Sequence, residues 1–164
     1  MSDSVLSIKA VDLVEYYHRM DAPRHPGGVK LLQYWRGIVA ERGDFVINRD
    51  APARAIADLL ANIVVAEPVS GGGDMKIRLA GANVRRRDGG DLKDHLLSEL
   101  FSRSDFELHR SNAREILRHG QPVTLDASLR RGPVEELHSE VIALPVKSPD
   151  KSKTWLLVGV FYFR

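Results

Sequence analysis

The sequence predicts an α+β domain: a five-stranded antiparallel sheet with helices on one face, and N-terminal helices placed outside the sheet or at a dimer interface. Three observations predict it. After a helical stretch that stops at Gly120, strand-like runs at 123–130, 134–146 and 155–163 follow one another across short polar turns. Upstream, the apolar runs at 62–68 and 75–80 flank the glycine-rich turn at 70–74 and read as a hairpin. Helix-forming sequence separates hairpin from meander, and a sheet of this kind must lay a face on helices to bury it.

The chain has 164 residues, enough for one domain with an N-terminal appendage. The expected division is 1–28, an amphipathic helix and linker, and 29–164, the domain proper. Hydrophobic residues make up 43 % of the chain, sufficient for a core, and charged residues an ordinary 28 %. There is no cysteine, which excludes disulfides, thiolate metal sites, a cysteine nucleophile and a cysteinyl-flavin photosensor. The start is polar and acidic and no apolar run is long enough to span a bilayer, so the expectation is a cytoplasmic protein without a membrane span. The net charge is +2. Its densest basic cluster, Arg85-Arg86-Arg87, has no interleaved aromatics, so a nucleic-acid partner is not expected.

Taken in order, residues 4–20 place Leu6, Ala10, Leu13, Val14 and Tyr17 at helical intervals, and Pro23, Pro26 and Gly27-Gly28 end that helix. A second helix spans about 29–41, with Leu31, Leu32, Trp35, Ile38 and Val39 in one stripe and Gly43 as its stop. Asp50 reads as the N-cap of a short helix carrying Ile56, Leu59 and Leu60, with Pro52 in its first turn. After the hairpin, Gly81 precedes a helical turn bearing the three arginines. Residues 92–101 form a short helix with Leu96, Leu97, Leu100 and Phe101 inward. Ser104 and Glu107 have capping-box spacing and open a helix over 105–119 with Phe106, Ala113, Ile116 and Leu117 on one side.

The strand order, and several short stretches of wording, resemble a bacterial PAS-like family. Those stretches are Tyr34-Trp35-Arg36, Ile77-Arg78-Leu79-Ala80-Gly81, Gly120-Gln121-Pro122-Val123 and the run Glu-Val-Ile-Ala-Leu-Pro at 140–145. The resemblance covers about residues 29–163. It implies a half-barrel with a pocket under the helices, and a sensory or regulatory domain that binds a small ligand, a protein partner, or both. No output segment follows the last strand, so the signal is expected to pass in trans.

Strand parity assigns the pocket to Leu79, Val84, Leu96, Leu100, Leu117, Val123, Leu125 and Leu157. The last strand is apolar on both faces, so both need covering, at about 25 cal/mol per Å² of apolar surface. Leu6, Leu13, Tyr17, Leu31, Trp35, Val158 and Val160 are therefore assigned to covering the outer sheet or to a homodimer interface. No cofactor is demanded. Haem is not expected at His95, His109, His119 or His138, and no metal-ligand spacing occurs. Asp105, His109, His138 and Glu140 are the best acid–base side chains, with His138 and Glu140 two apart on a strand, but none is assigned as catalytic. Two alternatives stand beside the sensory reading. One is a small cone-shaped enzyme or carrier similar to the nuclear-transport-factor/ketosteroid-isomerase group. The other is a ligand-free adaptor that docks a partner through its N-terminal helices.

Overall fold

The three C-terminal runs form the meander β4 (Val123–Arg131), β5 (Val134–Lys147) and β6 (Thr154–Tyr162). The computed structural model describes residues 13–84 and 90–164. Leu6 and the three arginines fall outside them. The hairpin forms as β2 (Ile63–Val69) and β3 (Asp74–Ala80), and β2 pairs antiparallel with β6. These strands lie in the order β4-β5-β6-β2-β3.

A sixth strand, β1 (Leu13–Met20), completes the sheet beside β4, pairing from Leu13↔Arg131 to Met20↔Thr124. This corrects the helix expected over the same residues. Leu13, Val14 and Tyr17 fit a helical stripe, but the segment also alternates, with Glu15 and Tyr17 turned inward and Val14 and Tyr16 outward. Its valine and two tyrosines favour a strand. What decides is non-local: without β1, the backbone edge of β4 would stand unpaired.

α1 (Pro26–Arg42) carries proline at its first position and ends at Gly43 in a left-handed cap (φ 87°). It lies on the outer face of the sheet. Leu31, Leu32 and Trp35 pack there on Ile142, Leu144, Val146, Leu157 and Phe161, and Phe45, Ile56 and Leu59 close the flank. The Trp35 indole N–H donates to the Pro145 carbonyl at 2.9 Å, so two of the family-like stretches meet. Gly159 permits this contact, because a Cβ there would stand 2.8 Å from Leu31 and 2.6 Å from Phe161. Gly81 is required for a similar reason: a Cβ would meet the Ala61 and Leu60 backbone at 2.4 Å.

Asp50 is not an N-cap. The short segment Arg54–Asn62 is a 3-10 helix capped at Ala53, and the Asp50 carboxylate turns into the protein toward Arg42, Arg49 and the Val46 N–H. On the inner face, α2 is only Leu97–Leu100, shorter than expected, because Leu92–Leu96 run as an irregular segment against β3. α3 (Arg103–His119) starts at Ser102, whose hydroxyl accepts from the Asp105 N–H, two residues before the expected cap. It ends at Gly120 in the left-handed region (φ 69°).

Candidate functional site

β-strands, α2 and α3 enclose a cavity of about 470 Å³ on the inner face of the sheet. The wall is mostly apolar. Strand alternation turns Val64, Ala66, Met75, Ile77, Val123, Leu125, Ala127, Val141, Ala143, Leu156, Val158 and Val160 into it, and Ala113 and Ile116 of α3 form the roof. Most of these small and β-branched side chains are short, which leaves space where longer ones would interlock.

The polar groups gather at one side. α3 brings His109 and Asn112, one turn apart, to the cavity wall beside Ala113 and Ile116. The His109 ring stands edge-on to Tyr17 of β1 (4.8 Å) and tilted against Phe101 (4.4 Å). Its Nε2 and the Asn112 Nδ2 are both buried without a hydrogen-bond partner. Buried polar atoms are normally paired, so two unpaired ones among the residues of one cavity wall are unusual. The Tyr17 hydroxyl donates to Glu15, which also lines the wall. Burial holds the Tyr162 phenol above its ordinary pKa, so it stays protonated.

Burial also lowers the His109 pKa, against the opposing pull of Asp105 and Glu15, and the ring is neutral at neutral pH. The sign of the pH effect follows. Above the unfolded value, about 6.5, the group contributes nothing; below it the unfolded chain takes up a proton that the folded chain refuses, and stability falls until the folded pKa is passed. Thermal melts from about pH 7.5 down to about pH 5.5 are expected to lose less stability in His109→Phe than in the wild type. Equal losses would contradict a buried neutral ring.

Of the residues assigned to the pocket, Val84, Leu100, Val123 and Leu125 line the cavity. Leu117 packs in the same cluster behind the wall. Leu96 bridges to Lys76 instead, and its neighbour Leu97 takes the lining position. Leu79 is 48 % exposed, outside the pocket. Ala66 pairs with Ile77 but Val65 with Leu79, so Arg78 is an extra residue and the bulge turns Leu79 to the opposite face. Leu157 is fully buried under α1, while Val158 and Val160, assigned to the outer surface, face the cavity. On this doubly apolar strand the two faces were exchanged. Tyr17 lines the cavity, Leu31 and Trp35 lie under α1, and Leu13 is half-buried at the start of β1.

The outer face carries two more of the acid–base candidates, His138 and Glu140. His138 Nε2 lies 2.6 Å from Asp126 and its ring stacks on Phe163 at 4.4 Å. Glu140 is 1 % exposed and accepts the backbone N–H groups of Arg24 and His25, not His138. Neither His138 nor Glu140 lines the cavity, nor does Asp105; of the four acid–base candidates His109 alone does. Among the described residues no cluster has the makings of a metal site.

The family model described as PAS domain matches residues 23–161, which takes in α1, both layers and the cavity walls from β2 to β6. The chain belongs to the PAS domain family. Membership implies a sensory or regulatory domain and replaces the cone-shaped alternative as the account of the fold. No curated protein and no solved structure gives a significant match. No helix among the described residues is long and apolar enough to cross a membrane. The PAS sheet here is extended by β1, all of which lies before the matched residues.

Proposed function

We propose that this PAS domain is a ligand-sensing regulatory module without catalytic activity, which takes a small molecule into the inner cavity and passes its occupancy to a protein partner. The observation that supports the reading is the cavity itself. A solid core would fill about 470 Å³ of apolar-lined space, and would not leave His109 and Asn112 unpaired on its wall. α3 and β1 are the two walls that could carry a signal. They are tied by the Arg19–Glu115 ion pair and by the Tyr17–His109 contact, so a ligand that moves α3 also bears on the edge strand. Occupancy shifts such a pair only by the ligand's differential affinity for the two arrangements.

Val14 and Tyr16 are exposed on the opposite side of β1, where a protein contact would sense that shift. A homodimer remains part of the proposal. It would use this kind of surface, since Leu31, Trp35, Val158 and Val160 are occupied inside the chain. Native mass spectrometry of freshly purified protein, set beside the denatured mass, tests both parts. The expected spectrum is a dimer with a retained mass that denaturation releases. A ligand-free dimer would favour the adaptor reading, and a ligand-free monomer would count against ligand and dimer together.

A further inference from the structure

The cavity wall also constrains what could occupy it. Two buried polar atoms of its lining residues lack partners, the Asn112 amide nitrogen, a donor, and His109 Nε2, one helical turn away on the same face. With the ring proton on Nε2, both are N–H donors. Among the described lining residues there is no lysine or arginine, whereas two carboxylates, Glu15 and Glu99, are present. An anionic head group would enter a mostly apolar cavity facing those carboxylates with no counter-charge among the described residues, which is unfavourable. A cationic head group would meet the Asn112 N–H instead of an acceptor. Glu15 already takes the Tyr17 hydroxyl proton, and Glu99 is paired with His95.

We propose that the ligand is an uncharged, mostly apolar molecule carrying one hydrogen-bond-accepting oxygen, of the ketone or ester kind, seated against Asn112 and His109. This rests on the ligand-binding reading above. The apolar body fills the space between Val123, Ala143, Leu156 and Ala113, and the oxygen supplies the acceptor that the two side chains lack. A hydrocarbon of the same shape leaves both side chains unpaired, which is the basis of discrimination.

The test is competition against the uncharged dye N-phenylnaphthylamine on the full chain. Three matched competitors are used: butyl phenyl ketone, pentylbenzene and phenylvalerate. The ketone is expected to displace the dye at about tenfold lower concentration than the hydrocarbon, which corresponds to one hydrogen bond. The carboxylate is expected to be the weakest. Asn112→Leu and His109→Phe should bring ketone and hydrocarbon together by weakening the ketone while the hydrocarbon still displaces the dye, a result that a general loss of structure would not give. Equal displacement by ketone and hydrocarbon in the wild type, or phenylvalerate as the best competitor, overturns the proposal while leaving the cavity a binding site. If neither the dye nor any competitor binds, the ligand-binding reading itself falls. The wild-type series decides the matter even if a variant does not fold.

Discussion

Replacing Glu140 with alanine is expected to cost about 3 kcal/mol of folding stability, a fall in Tm of roughly 10 °C. The carboxylate is 1 % exposed on the outer face of β5. Both of its oxygens accept the Arg24 N–H, at 3.0 and 2.8 Å, and Oε1 also accepts the His25 N–H at 3.0 Å. These are the last residues before Pro26 opens α1, so Glu140 anchors the start of that helix to the sheet, where its charge also suits the helix dipole. Alanine leaves two backbone donors without an acceptor, each worth about 1–3 kcal/mol when stranded. Glutamine keeps one acceptor oxygen and should lose about half as much. Gly28 gives an internal check, because a Cβ there would stand 2.9 Å from Glu140 Oε1. Gly28→Ala should therefore destabilise the wild type more than it destabilises Glu140→Ala. Strict additivity in chemical denaturation would contradict the contact.

Asp50→Asn is expected to cost about 2 kcal/mol at neutral pH. Asp50 is 2 % exposed, and its oxygens accept from Arg42 at 2.8 Å, from Arg49 at 2.8 and 3.0 Å, and from the Val46 N–H at 2.8 Å. Burial pushes the carboxyl up, but Arg49, the Val46 N–H and Arg42 together outweigh it and hold the pKa below its ordinary value. A depressed folded pKa stabilises the fold fully above the unfolded value, about 3.8, and that contribution is lost as pH falls through the folded value. The stability gap between wild type and Asp50→Asn should therefore be constant near neutrality and close as the pH drops below about 4. A gap that persists undiminished into strong acid would contradict a charged Asp50 in the fold.

Much of the architecture was legible in the sequence because its signals are local. The meander, the hairpin, the Gly43 and Gly120 stops and the stripe Leu31–Trp35 each depend on a few neighbouring residues. β1 was not legible, because whether Leu13–Met20 is helix or strand is settled by the edge of β4, more than a hundred residues away. The same limit governed Asp50, where a capping residue by spacing became a buried ion-pair partner through tertiary contact.

The cavity was legible in part. β4 alternates cleanly, so Val123 and Leu125 could be placed on its inner wall. β6 is apolar on both faces, so periodicity separates Leu157 from Val158 without saying which meets α1. One extra residue in β3 moved Leu79 out of the pocket. The polar pair was within reach: His109 and Asn112 fall at helical spacing with Ala113 and Ile116, and polar side chains inside an apolar stripe are the signal that was passed over.

The central claim is that the inner cavity holds a small molecule, and fluorescence titration with N-phenylnaphthylamine tests it most directly when the wild type is set beside Ala143→Phe. Ala143 faces the cavity from β5, and a phenyl ring there would occupy its space. The account predicts saturable one-to-one binding by the wild type, and its loss in a variant that still unfolds cooperatively. No binding by the wild type, or unchanged binding by a folded Ala143→Phe, would contradict it.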